Sequence, residues 1–201
     1  MSRIAIVDYG AGNLKSVRKA LAYLGLESVV TADAAELNRA DGLILPGVGA
    51  FPDAMERLTP LVPALRAFAA SGRPFLGICL GMQLLFDRSE ELRPCAGLGL
   101  IPGRVERIPT ALKLPHIGWN SLSIRRDNAL TTGLREGDRV YFVHSFCGLC
   151  DRETDAAAFT DYGVPVLAMT ARGNLFGCQF HPEKSGEVGL TILRNFGGLC
   201  Q

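Results

Sequence analysis

Hydrophobic and polar positions in the first half of the chain follow two alternating rhythms. Residues 4–8 (IAIVD) make a run of strand length; past Tyr9, Gly10, Ala11 and Gly12, apolar residues then fall at Leu14, Val17, Ala20, Leu21 and Leu24. That spacing is helical, so the segment predicts a buried strand, a glycine turn and an amphipathic helix. Residues 28–31 predict a second strand, 34–40 a short helix, and 42–46 (GLILP) a third strand that ends at Gly47, Val48 and Gly49. A helix over 54–71, a strand over 74–78 and, past Cys79, another helix carrying Met82, Leu85 and Phe86 continue the alternation. Strand and helix in regular succession argue for parallel strands covered by helices.

From Leu98 onward the texture changes to short β-like segments separated by turn residues: 103–108, 120–124, 139–145, 166–170 and 175–180. These are expected to extend or flank the sheet, several of them antiparallel. Residues 186–196 regain helical spacing through Val188, Leu190, Ile192, Leu193 and Phe196. The expected architecture is α/β, with a mostly parallel central sheet flanked by helices and additional antiparallel strands in the C-terminal half. With no linker, repeat or low-complexity run, residues 1–201 are expected to form one domain.

Composition narrows the function classes. Lys+Arg 21 against Asp+Glu 20 leaves a net charge of +1 and no surplus with which to neutralise phosphates, so neither nucleic acid nor a membrane surface is an expected partner. Lys15, Arg18 and Lys19 read as one solvated helix face. No run approaches the ~18 apolar residues of a membrane span, and the amino terminus enters a strand without a secretion signal, so the chain is expected to be cytoplasmic. Six cysteines in 201 residues read as free thiols, because a chain of this size builds its own core. Cys147 and Cys150 form a lone CxxC with no paired ligands at zinc spacing, and no metal is expected. Gly10-Ala11-Gly12 after the first strand lacks the third glycine of a dinucleotide loop, Lys15 standing in its place, and nucleotide binding is rejected.

Candidate chemistry begins at Gly77-Ile78-Cys79-Leu80-Gly81, which has the layout of a nucleophile elbow with sulfur in place of the hydroxyl. Glycines on either side let a residue in a sharp strand-to-helix turn stand clear of the sheet, and the helix start favours thiolate. By itself the pentapeptide fits a buried structural cysteine equally well. His181-Pro182-Glu183 shifts the balance. Proline is expected to hold the backbone extended, so that imidazole and carboxylate, two residues apart, share a face as base and orienter. Cysteine, histidine and carboxylate in those roles suit acyl transfer. Pro46-Gly47-Val48-Gly49, at the carboxyl end of its strand, is placed to neighbour Cys79. The backbone N–H of Leu80 and one from Gly47, Val48 or Gly49 are the candidate oxyanion donors.

These residues belong to a longer pattern: DYGAGNL at 8–14, LPGVGAF at 45–51, GICLGMQLLF at 77–86, LPHIGWN at 114–120, YFVHSF at 141–146 and FHPEKS at 180–185. Across nearly its whole length the chain resembles the triad-type glutamine amidotransferases, and within them the glutaminase subunits that serve a cyclase in histidine biosynthesis. The resemblance implies that Cys79 attacks the side-chain amide of L-glutamine, that His181 shuttles the proton and that Glu183 orients His181, with no cofactor. It implies that Gln83, Glu91 and the backbone around Ser145 and Phe146 hold the α-amino and α-carboxylate ends of glutamine. It also implies a (β/α)₈-barrel cyclase subunit as partner, joined in a heterodimer and faced by Asn13, Trp119, Tyr141 and Lys184. From the sequence, Trp119 is placed in a Gly- and Pro-containing loop. Phe146 where tyrosine is usual, Pro52 where glycine is usual, and the Cys147/Cys150 pair depart from the family pattern.

Overall fold

The computed structural model describes residues 3–201. Strands β1 (Arg3–Val7), β2 (Glu27–Thr31), β3 (Gly42–Gly47) and β4 (Phe75–Cys79) alternate with helices α1 (Leu14–Tyr23), α2 (Ala34–Arg39), α3 (Phe51–Leu58) and α4 (Val62–Ala70). After a single helical turn, α5 (Leu80–Gln83), follow β5 (Phe86–Ser89), β6 (Cys95–Ala96), β7 (Ile101–Arg107), β8 (His116–Ser121), β9 (Ser123–Ile124), β10 (Arg139–His144) and β11 (Phe146–Cys150). The chain finishes with β12 (Ala156–Asp161), β13 (Pro165–Arg172), β14 (Leu175–Cys178) and α6 (Gly186–Leu199).

The main sheet has the order β2-β1-β3-β4-β14-β13-β12-β9. It is parallel from β2 to β14 and antiparallel beyond, as the change of texture in the sequence leads one to expect. Its strands look continuously apolar because both faces are covered, yet the side chains alternate strictly. Val7, Leu43, Leu45 and Phe75 face Leu37, Leu58, Leu65 and Phe68 from α2, α3 and α4. Ile4, Ile6, Ile44, Leu76 and Ile78 face Val17 and Leu21 of α1 and Ile192, Leu193 and Phe196 of α6. An antiparallel ribbon, β8 with β10, and a smaller sheet, β11-β7-β5-β6, stand against the carboxyl end of the parallel strands. No helix among the described residues is long and apolar enough to cross a membrane.

Several local expectations change. The helix expected over 54–71 is two helices joined by a 3₁₀ turn at Thr59–Leu61, because Pro60 and Pro63 withhold backbone donors from the ladder. Its first half starts earlier, at Phe51, and Pro52 falls in the opening turn, where proline is well accommodated. The helix expected to carry Phe86 stops after one turn. The carbonyls of Leu84 and Leu85 are taken by the amides of Leu98, Leu100 and Ile101, which steers Phe86 into β5 instead. The strand expected over 120–124 is split between two sheets, and Trp119 lies in β8 rather than in a loop. Neither β11 nor β12 was expected. The alanine-rich β12 has little strand propensity of its own and is held by β13 and β9 on its two sides.

Candidate active site

Cys79 closes β4 with φ 55 and ψ −115, one of only two non-glycine residues at positive φ among the described residues. A left-handed cysteine is a strained conformation, which neighbours must hold in place. Here they do so by close packing: a Cβ at Gly77 would lie 2.6 Å from the Gly81 carbonyl oxygen, and one at Gly81 would run into the carbonyl of Leu45. Both glycines of the elbow are therefore required by contact, as the sequence pattern suggests. Since α5 has only one turn, its dipole at Cys79 is weaker than the longer helix expected from the sequence would supply.

His181 follows β14 and reaches the same cleft. Its Nδ1 lies 2.8 Å from Glu183 Oε1, and both side chains are sealed from solvent. The pairing holds, but its geometric basis differs from expectation: Pro182–Lys184 form a 3₁₀ turn rather than an extended run, and the turn curls the carboxylate back beneath the ring. Asn13 Nδ2 donates to the same carboxylate oxygen at 3.4 Å. Burial disfavours the charged imidazole, but interactions with Cys79 and Glu183 outweigh it and raise the pKa to about 9. His181 Nε2 has no hydrogen-bond partner of acceptable geometry, so ring and thiol are electrostatically coupled without being aligned. Long or misaligned catalytic hydrogen bonds are common before substrate binds.

The cleft encloses about 320 Å³ and is lined by Val48, Gly49, Cys79, Leu80, Gln83, Glu91, Ser145, Phe146 and His181, with Pro115, Val143 and His144. Nine of the residues singled out in the sequence thus meet around one cavity, at the carboxyl end of the parallel strands where ligands of such sheets bind. Gly47 lies just behind it, opposite Cys79 in the β3–β4 register. Its space is tightly bounded, since a Cβ there would come 2.7 Å from the Tyr9 hydroxyl and 2.8 Å from the Gly81 nitrogen. The first amides of a helix lack intrahelical acceptors, so the Leu80 N–H is available as a donor.

Gln83 is buried, and its Nε2 donates to the Phe146 carbonyl and to Gln179 Oε1, each at 3.0 Å. Glu91 accepts from the Phe51 N–H at 2.8 Å, and burial pushes its carboxyl upward despite that bond. Trp119 and Tyr141 are cross-strand partners on the β8–β10 ribbon, with their rings edge to face at 6.1 Å. His181 N–H donates to the Tyr141 carbonyl, and Lys184 and Asn13 flank Glu183, so three of the four expected partner-facing positions adjoin the His181–Glu183 turn, with Trp119 one strand further out beside Tyr141. Cys147 and Cys150 are free. Three apart on a strand, they pack into different clusters on opposite faces of β11, Cys147 beside Ile108 and Val166 and Cys150 against the main core. Burial pushes both thiols up to about 11.

The structure adds two groups that the sequence reading passed over. Gln179 sets its Nε2 3.9 Å from Cys79 Sγ; standing two residues before His181 on a β-like run, it was within reach of the alternation argument. His144 and His116 form a buried pair, Nδ1 of His116 to Nε2 of His144 at 3.1 Å, with His144 Nδ1 on the Phe146 carbonyl at 2.8 Å. No local spacing could reveal it, since 28 residues separate the two.

A thiol on a strained elbow, a histidine backed by a buried carboxylate and a glycine loop beside them define a cysteine-dependent amide hydrolase. The chain belongs to the class-I glutamine amidotransferase family, whose pattern its residues 5–198 match. It is 53% identical over 200 residues to the imidazole glycerol phosphate synthase subunit HisH of Bacillus cereus strain G9842, covering 98% of this chain and 95% of that one. The protein of the same description from Bacillus thuringiensis strain Al Hakam is 50% identical with the same coverage. Solved structures share the fold at lower identity. A chain of PurLQS from Thermotoga maritima superposes with a TM-score of 0.76 at 20% identity, covering 97% of each chain. A further glutamine amidotransferase gives 0.74 at 20%, covering 98% of each.

Proposed function

We propose that this chain, acting as one domain over residues 1–201, is the glutaminase subunit of an imidazole glycerol phosphate synthase. It hydrolyses L-glutamine to glutamate and ammonia, and the ammonia passes to a cyclase subunit that makes imidazole glycerol phosphate and an aminoimidazole carboxamide ribonucleotide in histidine biosynthesis. The observation that carries this reading is Cys79 at positive φ in one cleft with His181 and its buried Glu183, in a chain 53% identical to a HisH protein over nearly its full length.

Chemistry follows from the placement of the groups. Sulfur of Cys79 attacks the side-chain carbonyl carbon of glutamine, and its proton resides on His181, whose raised pKa suits it to hold that proton. The tetrahedral oxyanion is met by the Leu80 N–H and an N–H from the Gly47–Val48–Gly49 loop. As the carbon–nitrogen bond breaks, His181 donates the proton to nitrogen and ammonia leaves, with a glutamyl thioester on Cys79. Water then gives a proton to His181 and its oxygen to the carbonyl carbon; the carbon–sulfur bond breaks, and glutamate and the thiol are restored. Glu183, on Nδ1, keeps Nε2 directed at the reacting atoms and supports the imidazolium. Gln83, Glu91 and the Ser145–Phe146 backbone hold the amino-acid end of the substrate.

For the partner, a (β/α)₈-barrel cyclase docks on the face bearing Asn13, Trp119, Tyr141 and Lys184. Trp119 is 48% exposed, with Ile117 on the same strand 58% exposed, and an aromatic anchor of this kind is typical of interface hot spots.

The test is glutamate release by the purified chain, alone and with a cyclase subunit and its nucleotide ligand. Release is expected to depend on Cys79 and to rise with partner and ligand. Cys79→Ala is expected to abolish glutamine-dependent synthesis in the reconstituted complex while synthesis from ammonium salts continues. Loss of both would make Cys79 structural, and strong turnover indifferent to the partner would make the chain a stand-alone γ-glutamyl hydrolase.

A further inference from the structure

Behind the cleft, one chain of polar groups has every proton assigned by its neighbours. The Phe146 carbonyl only accepts, so Nδ1 of His144, 2.8 Å away, carries hydrogen. Burial keeps His144 neutral, lowering its pKa to about 4, so its Nε2 is bare and accepts from His116 Nδ1 at 3.1 Å. Burial lowers His116 as well, leaving its Nε2 bare, and Asn120 Nδ2 donates to it at 3.3 Å. Asn120 cannot turn over without loss: its amide nitrogen also donates to the Asp161 carbonyl at 2.7 Å, and its oxygen accepts the Ser121 N–H at 2.8 Å. The His116 ring is clamped between Tyr162 and Phe142, with centroids 4.0 and 4.7 Å away and planes within 24° and 20°.

This chain ends where the backbone passes from one sheet to another. Strand β10 stops at His144 and pairs with β8; β11 starts at Phe146 and pairs with β7 in another sheet; Ser145 lies between them in neither strand. The Ser145 carbonyl accepts the Ile108 N–H at 3.0 Å, and Phe146 stands opposite Arg107 of β7. The Phe146 carbonyl is held by two side chains, His144 and Gln83.

We propose that His144 and His116 are positioning residues for glutamine: with Asn120 they fix the Ser145–Phe146 backbone that faces the substrate and tie it to the β8–β10 ribbon. The proposal rests on the reading that this backbone holds the amino-acid end of glutamine. Residue 144 must donate on one side and accept on the other, which a neutral imidazole does and an aliphatic, carboxylate or ammonium side chain does not. The consequence reaches the ribbon's outer face, because Asn120 and His116 share β8 with Trp119, and His144 shares β10 with Tyr141.

Two measurements test it. Nitrogen-15 NMR of the intact wild-type chain at neutral pH is expected to show both rings protonated at Nδ1 and bare at Nε2, the opposite of the form that predominates for free histidine in water. Either ring in the Nε2–H form, or cationic, overturns the proposal. In the complex with a cyclase subunit and its nucleotide, His144→Ala is expected to raise KM for glutamine about five- to tenfold with kcat nearly unchanged, the size of one lost hydrogen bond that holds a binding group. His144→Asn, whose Nδ2 stands near the place of the ring Nδ1, is expected to recover most of that loss. A fall in kcat at constant KM, or equal KM values for the two variants, overturns it. Failure of the wild-type complex to release glutamate at all would count against the function proposed above, whereas the NMR pattern tests the hydrogen-bond chain alone.

Discussion

His144 makes a quantitative prediction about acid stability. Its folded pKa of about 4 lies below the unfolded value of 6.5, so between these two values the unfolded chain binds a proton that the folded chain refuses. Stability therefore rises with pH through that window and is lost as pH falls. Each pH unit inside it is worth about 1.4 kcal/mol. From pH 7 to pH 5 the contribution amounts to about 2 kcal/mol, and over the full window to about 3 kcal/mol. The side chain is only 6% exposed, so solvent screening does little to reduce the figure. His116, lowered by burial, adds a slope of the same sign; His181, raised to about 9, adds a slope of the opposite sign as pH rises through 6.5, and that term is common to wild type and variant and cancels in their difference. The assay is urea unfolding of wild type and His144→Asn at half-unit steps from pH 5 to 7. Asparagine does not titrate, so the stability difference between the two proteins should shift by about 2 kcal/mol across the series, in favour of the variant at the acid end. Parallel curves would show that His144 is not held neutral by burial and would refute the reasoning.

Three further expectations concern the site. Cys79→Ala should lower the His181 pKa from about 9, because it removes the sulfur while burial, which opposes the charge, remains; an NMR titration unchanged by the substitution would contradict the coupling. Gly81→Ala places a methyl group against the backbone carbonyl of Leu45, which cannot swing aside, so a loss of about 1–3 kcal/mol in urea unfolding and a collapse of glutaminase activity are expected; wild-type values for both would mean that the elbow is looser than its contacts imply. Trp119→Ala should weaken association with a cyclase subunit far more than it lowers the melting temperature of the free chain, since the ring is half exposed; unchanged binding would remove it from the docking face.

Much of this protein was legible in the order of its residues. The β-strand and helix alternation to residue 79 rests on local rhythm and holds wherever the chain is placed; of the elbow glycines, Gly77 answers to its own turn, whereas Gly81 is required by the Leu45 carbonyl of the neighbouring strand. What failed from sequence failed for two reasons. The break near Pro60 follows a local rule that the longer apolar rhythm concealed, but the early end of α5 is set by amides from residues 98–101, which capture carbonyls the helix would otherwise have used. The strand β12 exists because β13 and β9 supply partners that its alanines would not recruit alone.

The candidate site divides along the same line. The sequence determined which groups are candidates for the chemistry: a cysteine between glycines, a histidine two residues from a glutamate and a glycine loop after a strand are chemical statements made by short segments. Only the tertiary structure decided how they are held. The 3₁₀ turn brings Glu183 to His181, Gln179 comes 3.9 Å from the sulfur, and two histidines 28 residues apart form a hydrogen-bond chain to the Phe146 carbonyl. Burial, which sets the ionisation of His181 and His144 in opposite directions, is a property of the packed core and of no single stretch of chain.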